Sequence, residues 1–503
     1  MDLDLNTQTW NNPDLFCYDL PTKPLAGGGK ILVTGASGYI GGRLVPELLA
    51  RGYQVRIMVR GNPQIYQSYW PGTEIVVADA SNLERLPNVF KDIDTAYYLI
   101  HSLRLGPHDF RNADKQAATS FRIAAEKAQI KRIIYLGGLG DIRNPLSPHL
   151  RSRIEVANEL KKGKVPLTVL RAAIIIGSGS ASYEIIQHLV RKLPIIYLPS
   201  WTKNRCQPIA VRDVIKYLVG VLEVPETSGQ DFDIGGSEIL TYEQMLRILA
   251  QILDIEVHFI STSFSYIRFY SYLVSLLTPI PHSITQNLME GLKNEVVVHD
   301  DAIRRQVPFE PLSYRESLIR ALTREEEDRI HTRWSDAYPP AHGLALKLHE
   351  LKRKTTYQAS YSLLTLKNSS SLFQYICRIG GKEGWFHNNW MWRLRGMVDR
   401  ILLGVGTSRG RKSHSQLNID DVLDFWRVED LIPNQRLLLR AEMRLPGTAW
   451  LEFNIEEESG KRRLSVISYF DTHTLMGKVY WYIFLPLHHF IFRQLIEDIE
   501  KRS

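Results

Sequence analysis

Short apolar runs alternate with amphipathic segments along the first part of the chain. The runs have the length of buried strands, and the segments between them have the apolar spacing of helices. The predicted strands are residues 31–33, 54–59, 74–78, 95–100, 132–136 and 167–170, and the predicted helices are 41–51, 113–128 and 153–161. This alternation predicts an α/β fold with a doubly wound parallel Rossmann sheet.

The pattern changes to period-two alternation in the last third of the chain. Predicted strands lie at residues 435–444, 449–456 and 462–470, and a long apolar helix follows at 475–499. The second and third strands flank a short turn, which indicates a hairpin. The sequence therefore predicts a separate α+β domain.

Composition shifts suggest four segments. A polar, proline-containing stretch that ends in three glycines predicts a flexible N-terminal tail. A charged stretch and a Pro339-Pro340 turn predict a linker between the two domains. The predicted division is 1–29 for the tail, 30–325 for the Rossmann domain with its substrate-facing insertions, 326–354 for the linker and 355–503 for the second domain.

The bulk numbers exclude few classes of function. Of 503 residues, 44% are hydrophobic and 23% are charged, as in a folded globular protein. The net charge of +8 is spread along the chain, which suits a small anionic ligand better than a nucleic acid. Three scattered cysteines (Cys17, Cys206 and Cys377) lack metal-ligand spacing and favour a reducing, cytoplasmic compartment without a metal site.

Two apolar stretches, residues 269–279 and 479–492, come closest to a membrane span. The first is too short, and Pro486 and two histidines interrupt the second. Each is interpreted as a buried or interfacial helix. Peripheral membrane contact through the second stretch stays open, because Lys478 and Arg493 stand at its ends.

The strongest chemical signal is the sequence KILVTGASGYIG at residues 30–41, which joins a predicted strand to a predicted helix. Gly35 permits the tight turn, Gly38 lets the backbone approach a diphosphate, and Gly41 lets the helix pack on the strand. The helix N-terminus favours phosphate binding. The predicted dinucleotide-binding turn consists of Gly35, Ala36, Ser37, Gly38, Tyr39, Ile40 and Gly41.

Arg60 follows the second strand, where an NAD-binding protein usually has an acid for the ribose 2′-hydroxyl. An arginine there is suited to the 2′-phosphate of NADP. The sequence therefore predicts NADP(H), with NAD(H) as the alternative.

Residues 34–41, Arg60, 77–79 and 207–213 together resemble the extended and atypical short-chain dehydrogenase/reductases, including NmrA-like proteins. The resemblance covers residues 30 to about 320. It implies that Asp79, with Ala80 beside it, lies at the adenine, and that the strand ending at residues 97–101 follows the cofactor.

The second domain resembles the START-like (SRPBCC, helix-grip) domain of an atypical subgroup, whose function is undefined. The similar stretches are 384–386, 424–427 and 446–452. The resemblance implies an apolar cavity between a sheet and a long helix. Aromatic residues are available to line it, although a plain core is the simpler interpretation; they are Trp385, Trp390, Trp392, Trp426, Trp450, Tyr480, Trp481 and Tyr482.

The chain departs from the reductase family at the catalytic residues. That family uses a Ser after the fifth strand and a Tyr-x-x-x-Lys on the next helix, but here the strand ends in Gly137 and Gly138 and the helix lacks the motif. The two glycines would let a cofactor or flat substrate approach the backbone. The candidate replacements are His149 as proton donor and Arg153 as ribose ligand, with Tyr98 and His101 as further acids; packing roles remain the alternative for all four.

These features favour an NAD(P)-dependent oxidoreductase that prefers NADPH and acts on an apolar carbonyl, enone or quinone-like substrate. Two alternatives stay open: a non-catalytic NADP(H)-binding sensor or assembly protein, and a carrier of an apolar ligand.

Overall fold

A computed structural model describes most of the chain as two compact units. The described residues are 15–25, 27–60, 63–101, 109–140, 147–326, 332–335, 348, 351, 354–381, 384–386, 389–406, 409, 411, 417–458 and 460–503. Unit 1 comprises residues 1–277 and 283–338, and unit 2 comprises 278–282 and 339–503. Much of the predicted linker, namely 327–331, 336–347, 349–350 and 352–353, lies outside the described residues.

Unit 1 alternates strands with helices. Its strands are β1 (Lys30–Thr34), β2 (Val55–Val59), β3 (Glu74–Val77), β4 (Ile93–Tyr98), β5 (Arg132–Gly138), β6 (Leu167–Ala172), β7 (Ile175–Ile176), β8 (Ile195–Leu198), β9 (Arg205–Cys206), β10 (Ile209–Ala210), β11 (Asp231–Ile234), β12 (Leu240–Thr241) and β13 (His258–Ser261). Its α-helices are α1 (Gly41–Ala50), α2 (Pro63–Tyr69), α3 (Leu86–Phe90), α4 (Asp109–Lys127), α5 (Pro148–Lys161), α6 (Ala181–Lys192), α7 (Val211–Glu223), α8 (Tyr242–Ile252), α9 (Ile267–Leu277), α10 (His282–Gly291), α11 (Ala302–Gln306) and α12 (Tyr314–Glu326).

Seven strands form one parallel sheet in the order β11-β6-β5-β4-β1-β2-β3. The predicted doubly wound α/β fold is confirmed. Apolar side chains from β1 enter buried clusters on both faces, with Ile31 and Val33 on one face and Leu32 on the other. This two-sided burial is the reason that the strand is a continuous apolar run. Three two-stranded ladders, β7–β10, β9–β12 and β8–β13, supplement the sheet.

The chain order reverses at the centre of this sheet. Strand β1 lies between β2 and β4, so the connection that leaves β1 runs to one side and later connections run to the other. The carboxyl ends of β1 and β4 therefore flank the crevice where doubly wound proteins bind their ligands.

The prediction of a flexible tail at 1–29 is wrong for residues 16–20. Phe16, Cys17 and Leu20 are buried in the core that includes α1. The backbone amides of Phe16 and Cys17 donate to the buried carboxylate of Glu47 at 2.6 and 3.0 Å. A short apolar group within a polar stretch was sufficient to dock this segment. Residues 1–14 lie outside the described part of the chain.

Unit 2 is an antiparallel sheet with a long C-terminal helix. Its strands are β14 (Tyr357–Thr365), β15 (Val422–Leu423), β16 (Trp426–Ile432), β17 (Arg436–Ala441), β18 (Thr448–Glu458) and β19 (Lys461–Asp471), and its helices are α13 (Ser369–Ile376), α14 (Asn389–Ile401) and α15 (Leu475–Arg502). The sheet order is β14-β19-β18-β17-β16-β15. The predicted hairpin is the β18–β19 pair, and the predicted long helix is α15.

In the described part of the chain, no helix combines the length and the apolarity that crossing a membrane requires. Helix α15 keeps one buried side against the sheet, where Phe492, Leu495 and Ile499 join the core of unit 2.

Candidate functional site

The glycine-rich turn joins the end of β1 to the start of α1. Gly35 has a φ of +70°, and a Cβ there would lie 2.5 Å from the carbonyl oxygen of Leu99. A Cβ on Gly41 would lie 2.3 Å from the Gly35 oxygen. Both positions therefore exclude a side chain. A Cβ on Gly38 would meet only the Gly35 oxygen, at 3.2 Å, so the other sides of Gly38 are open.

This turn has the features that a diphosphate requires. Residue Ile40, which precedes α1, provides no side-chain cap for the helix N-terminus. Backbone amides and the positive end of the helix dipole are thus presented at the crevice. The close approach of Gly35 to Leu99 brings the ends of β1 and β4 together at the same place.

Two predicted cofactor residues lie next to each other beyond β2 and β3. An Arg60 guanidinium nitrogen lies 3.7 Å from an Asp79 carboxylate oxygen, and both side chains are partly exposed. Asp79 also accepts hydrogen bonds from the backbone amide and hydroxyl of Ser81, at 2.8 and 2.6 Å. Although partial burial opposes it, these bonds and the Arg60 charge lower the pKa of Asp79. Asp79 is therefore an anionic acceptor, and Arg60 is a cation at the strand end.

The structure brings two predicted catalytic residues together. His101 follows β4, and His149 lies in the first turn of α5, forty-eight residues later. Their Nε2 atoms are 3.2 Å apart. One Nε2 therefore carries a proton and donates it in a hydrogen bond to the other Nε2, so the two rings have different tautomers.

Both histidines are neutral at physiological pH. Loss of hydration and the nearby Arg153 charge lower the pKa of His149 to about 3. His101 has an exposed flank, yet desolvation of its ring, Arg153 and His149 together hold its pKa well below the usual range. Such rings are hydrogen-bond donors and acceptors rather than cationic acids.

Arg153 does not have the expected position of a ribose ligand. Its guanidinium is buried and paired with the Asp114 carboxylate of α4, and it also lies 3.4 Å from the Ile100 carbonyl oxygen. The Asp114 carboxylate further accepts from Ser152 at 3.2 Å. Arg153 is therefore a positioning residue that ties α5 to α4 and to the end of β4.

The interpretation of Tyr98 as an acid is corrected by its position. Tyr98 is 1% exposed, and its ring packs edge-on against Phe121 at 4.9 Å. Burial, followed by the charge of Asp114, raises its pKa well above the usual value. A phenol enclosed in the core cannot reach a substrate in the crevice.

The two glycines at the end of β5 permit close packing beside the histidines. A Cβ on Gly138 would lie 2.9 Å from Leu150 and 3.5 Å from Arg153, both on α5. A Cβ on Gly137 would lie 3.1 Å from the Tyr135 ring. Gly138 therefore lets the start of α5, which carries His149, approach the sheet edge.

Asp114 was missed by the sequence-based reasoning. It lies within the long amphipathic helix α4, where an acid normally faces solvent, yet it is 2% exposed. The one signal in the sequence was that Asp114 falls on the apolar side of this helix, where a buried acid needs a charged partner. Its partner, Arg153, is thirty-nine positions away.

In unit 2 most of the predicted pocket aromatics are core residues. Trp385 stacks on Trp392 with ring centres 4.2 Å apart. The indole nitrogen of Trp385 donates to Asp424 at 2.9 Å. The described part of unit 2 thus supports the plain-core interpretation for the buried indoles, Trp385, Trp392, Trp426, Trp450 and Trp481, whereas Trp390 and Tyr482 are exposed.

Comparison with known families identifies the cofactor class. Residues 35–189 match a family described as NAD(P)H-binding, and residues 351–495 match a family described as a protein of unknown function (DUF2867). Unit 1 therefore contains an NAD(P)H-binding Rossmann domain, which confirms the predicted nicotinamide cofactor. The match to the second family does not establish a START-like domain.

Individual relatives are distant, and the three described next each cover less than half of this chain. The chain is 23% identical to photosystem II assembly factor Ycf39 from Trieres chinensis, over 44% of this chain and 69% of that protein. It is 22% identical to divinyl chlorophyllide a 8-vinyl-reductase from Cucumis sativus, over 46% and 58%. It is 21% identical to ceramide reductase from Caulobacter vibrioides, over 45% and 71%. These similarities link the chain to reductases and to an assembly factor alike.

Proposed function

Starting from the NAD(P)H-binding domain, we propose that this protein is an NADPH-dependent reductase of an apolar carbonyl, enone or quinone-like compound. The observation that carries the proposal is the 3.2 Å contact between His101 and His149 beside the crevice at the carboxyl ends of β1 and β4. Two relatives are named as reductases, which agrees with this class of reaction.

Each group of residues has a part in the proposed reaction. The amides around Gly35, Gly38 and Gly41 hold the diphosphate, and Arg60 binds the 2′-phosphate. Asp79 accepts a hydrogen bond from the adenosine end. NADPH, when bound, supplies a hydride.

The histidine pair polarises the substrate. A substrate oxygen that replaces one imidazole as acceptor receives an N–H hydrogen bond from the other. The nearby positive charge of buried Arg153 favours negative charge that develops on this oxygen. Because desolvation and the Arg153 charge keep both rings neutral, the pair acts as an oriented hydrogen-bond donor and not as a strong acid. Solvent water supplies the proton that the substrate takes up after hydride transfer.

A non-catalytic NADP(H)-binding assembly protein is the second candidate. It is favoured by the missing Ser and Tyr-x-x-x-Lys set and by the absence of a cationic histidine acid at this pair. One relative is named as an assembly factor. A carrier of an apolar ligand, with a START-like unit 2, is a further alternative supported by the antiparallel sheet and long helix of that unit.

The decisive experiment measures NADPH oxidation by the full-length protein. Near-ultraviolet absorbance is followed against a panel of long-chain aldehydes, aryl enones and benzoquinones. We expect turnover with at least one of them. In His149→Gln the rate should fall at least about tenfold, as expected when a polarising hydrogen bond is removed, while the dissociation constant for NADPH stays within about twofold.

The control variant is His473→Gln, which changes an exposed histidine of unit 2 and should retain the wild-type rate. Tight NADPH binding without oxidation by any compound would instead support the assembly or sensor function. Equal rates in His149→Gln and wild type would remove the histidine pair from the mechanism.

A further inference from the structure

A cavity of about 710 Å³ lies in unit 1. Its wall is formed by the start of α5, the loop that leads into α9 and the end of α10. Ser147 and Pro148, which directly precede His149, belong to this wall. The cavity has the size of a small-molecule site, and its wall residue Pro148 is next to His149 in the chain.

The loop before α9 gives the cavity an aromatic wall. Phe264 and Tyr266 line it, although they are 51% and 58% exposed to solvent. The Phe264 ring also lies 5.3 Å from the Phe269 ring and 5.9 Å from the Tyr270 ring. Three exposed aromatic side chains within six residues, Phe264, Tyr266 and Phe269, are costly in water and mark a binding surface for an apolar group.

Two cations stand on the same wall. Arg268 lies in the first turn of α9, and Lys293 follows α10; both side chains are exposed. Across the described residues, neither forms an ion pair with a carboxylate. The wall has one acid, Glu290, which already accepts a hydrogen bond from Gln286 at 3.2 Å. The charged groups of the wall therefore favour an anion by two to one.

We propose that this cavity binds the substrate and that the substrate is an amphiphile with a flat or chain-like apolar body and an anionic group. The apolar body packs on Phe264 and Tyr266, and Arg268 and Lys293 bind the carboxylate, sulfonate or phosphate. That the bound amphiphile is a substrate rests on the proposed reductase function. The ligand class follows from the wall residues alone.

The test compares two fluorescent probes that share an aromatic body. 1-Anilinonaphthalene-8-sulfonate has an anionic group, and N-phenyl-1-naphthylamine is uncharged. Each is titrated into full-length wild type and variants. The Arg268→Ala/Lys293→Ala variant should bind the sulfonate about tenfold more weakly, as expected for the loss of charge-assisted bonds, and should bind the neutral probe within about twofold of wild type.

The aromatic variant Phe264→Ala/Tyr266→Ala should weaken binding of both probes. Because all four side chains are exposed, the variants should fold, which circular dichroism verifies. Trp390→Ala removes a similarly exposed aromatic side chain from unit 2, outside the cavity, and should change neither affinity. Unchanged binding of the sulfonate by the cation variant, or of both probes by the aromatic variant, would overturn the proposal.

NADPH oxidation is measured on the same preparations and separates the two proposals. If the variants discriminate between the probes while NADPH is never oxidised, the cavity stands and the reductase function fails. If NADPH turnover is observed but neither pair of substitutions affects probe binding, the reductase stands and the ligand class is wrong.

Discussion

Arg60 and Asp79 lie together at neighbouring strand ends, where we propose that they divide the recognition of one nucleotide. Their charged groups are 3.7 Å apart, and both side chains are partly exposed. Each side chain can therefore still contact a ligand. An arginine here attracts a phosphate, whereas an acid in its place would repel one. We therefore propose that the preference for NADPH depends mainly on the Arg60 side chain.

We predict that Arg60→Ala weakens NADPH binding by about tenfold or more, because a charge-assisted contact to the 2′-phosphate is lost. NADH binding should change by less than about twofold, since NADH has no such phosphate. Fluorescence titration of both cofactors measures the two constants. Arg305→Ala, an exposed arginine paired with Asp301, serves as the control. Equal loss of affinity for both cofactors would remove Arg60 from the preference.

The depressed pKa of His149 has a consequence for stability. In the unfolded chain this histidine takes up a proton near its usual pKa of 6.5, whereas in the folded protein it does so near 3. Between these values the unfolded state binds more protons, so acidification destabilises the fold. The stabilising contribution of neutral His149 is present above about pH 6.5 and is lost as the pH falls towards 3.

We therefore predict that His149→Gln flattens the acid side of the stability curve. The free energy of unfolding should fall less steeply from pH 6 to pH 4 than in wild type, by at most about 1.4 kcal/mol per pH unit for one proton. Chemical denaturation at several pH values measures the slopes. Between pH 7.5 and 8.5 the two slopes should agree. A wild-type slope retained by the variant below pH 6 would contradict the shift.

At the scale of elements, the sequence was most informative where a local pattern had a local cause. The turn after β1 needs glycine at Gly35 and Gly41 because backbone atoms occupy the space of a Cβ. The apolar run of β1 reflects burial on both faces. The β18–β19 hairpin follows from alternation and a short turn. Each of these features depends on a few consecutive residues, and the corresponding structural predictions were confirmed.

Arrangements between elements were not predictable in this way. The contact of His101 with His149 depends on how α5 packs across the end of β4, which Gly138 permits. The pairing of Arg153 with Asp114 joins two helices. The Tyr98 side chain is buried in the core. Which face of β4 carries it depends on how this strand pairs in the sheet. All of these residues except Asp114 were candidates from the sequence, but their roles depended on tertiary geometry.

At the scale of the whole molecule, two features bear on membrane binding. The chain has a net charge of +8, and its C-terminal helix has an exposed apolar stripe. The stripe follows one side of α15 at helical spacing. Its residues are Leu475, Met476, Val479, Tyr482, Ile483 and Phe490. Lys478 and Arg493 are also exposed on this helix. From this combination we propose that α15 makes peripheral contact with an anionic lipid surface.

We predict that the full-length protein floats with phosphatidylcholine vesicles that contain phosphatidylserine, and floats less as salt is raised. The variant Tyr482→Ser/Ile483→Ser should lower the partition coefficient by about tenfold, because two large apolar side chains no longer enter the interface. Ile239→Ser/Ile319→Ser removes two exposed isoleucines of unit 1 and should float like wild type. Wild-type protein that remains at the bottom of the gradient at low salt would show that the stripe does not bind lipid. Equal loss in both double variants would instead indicate that general surface apolarity, and not α15, causes the attraction.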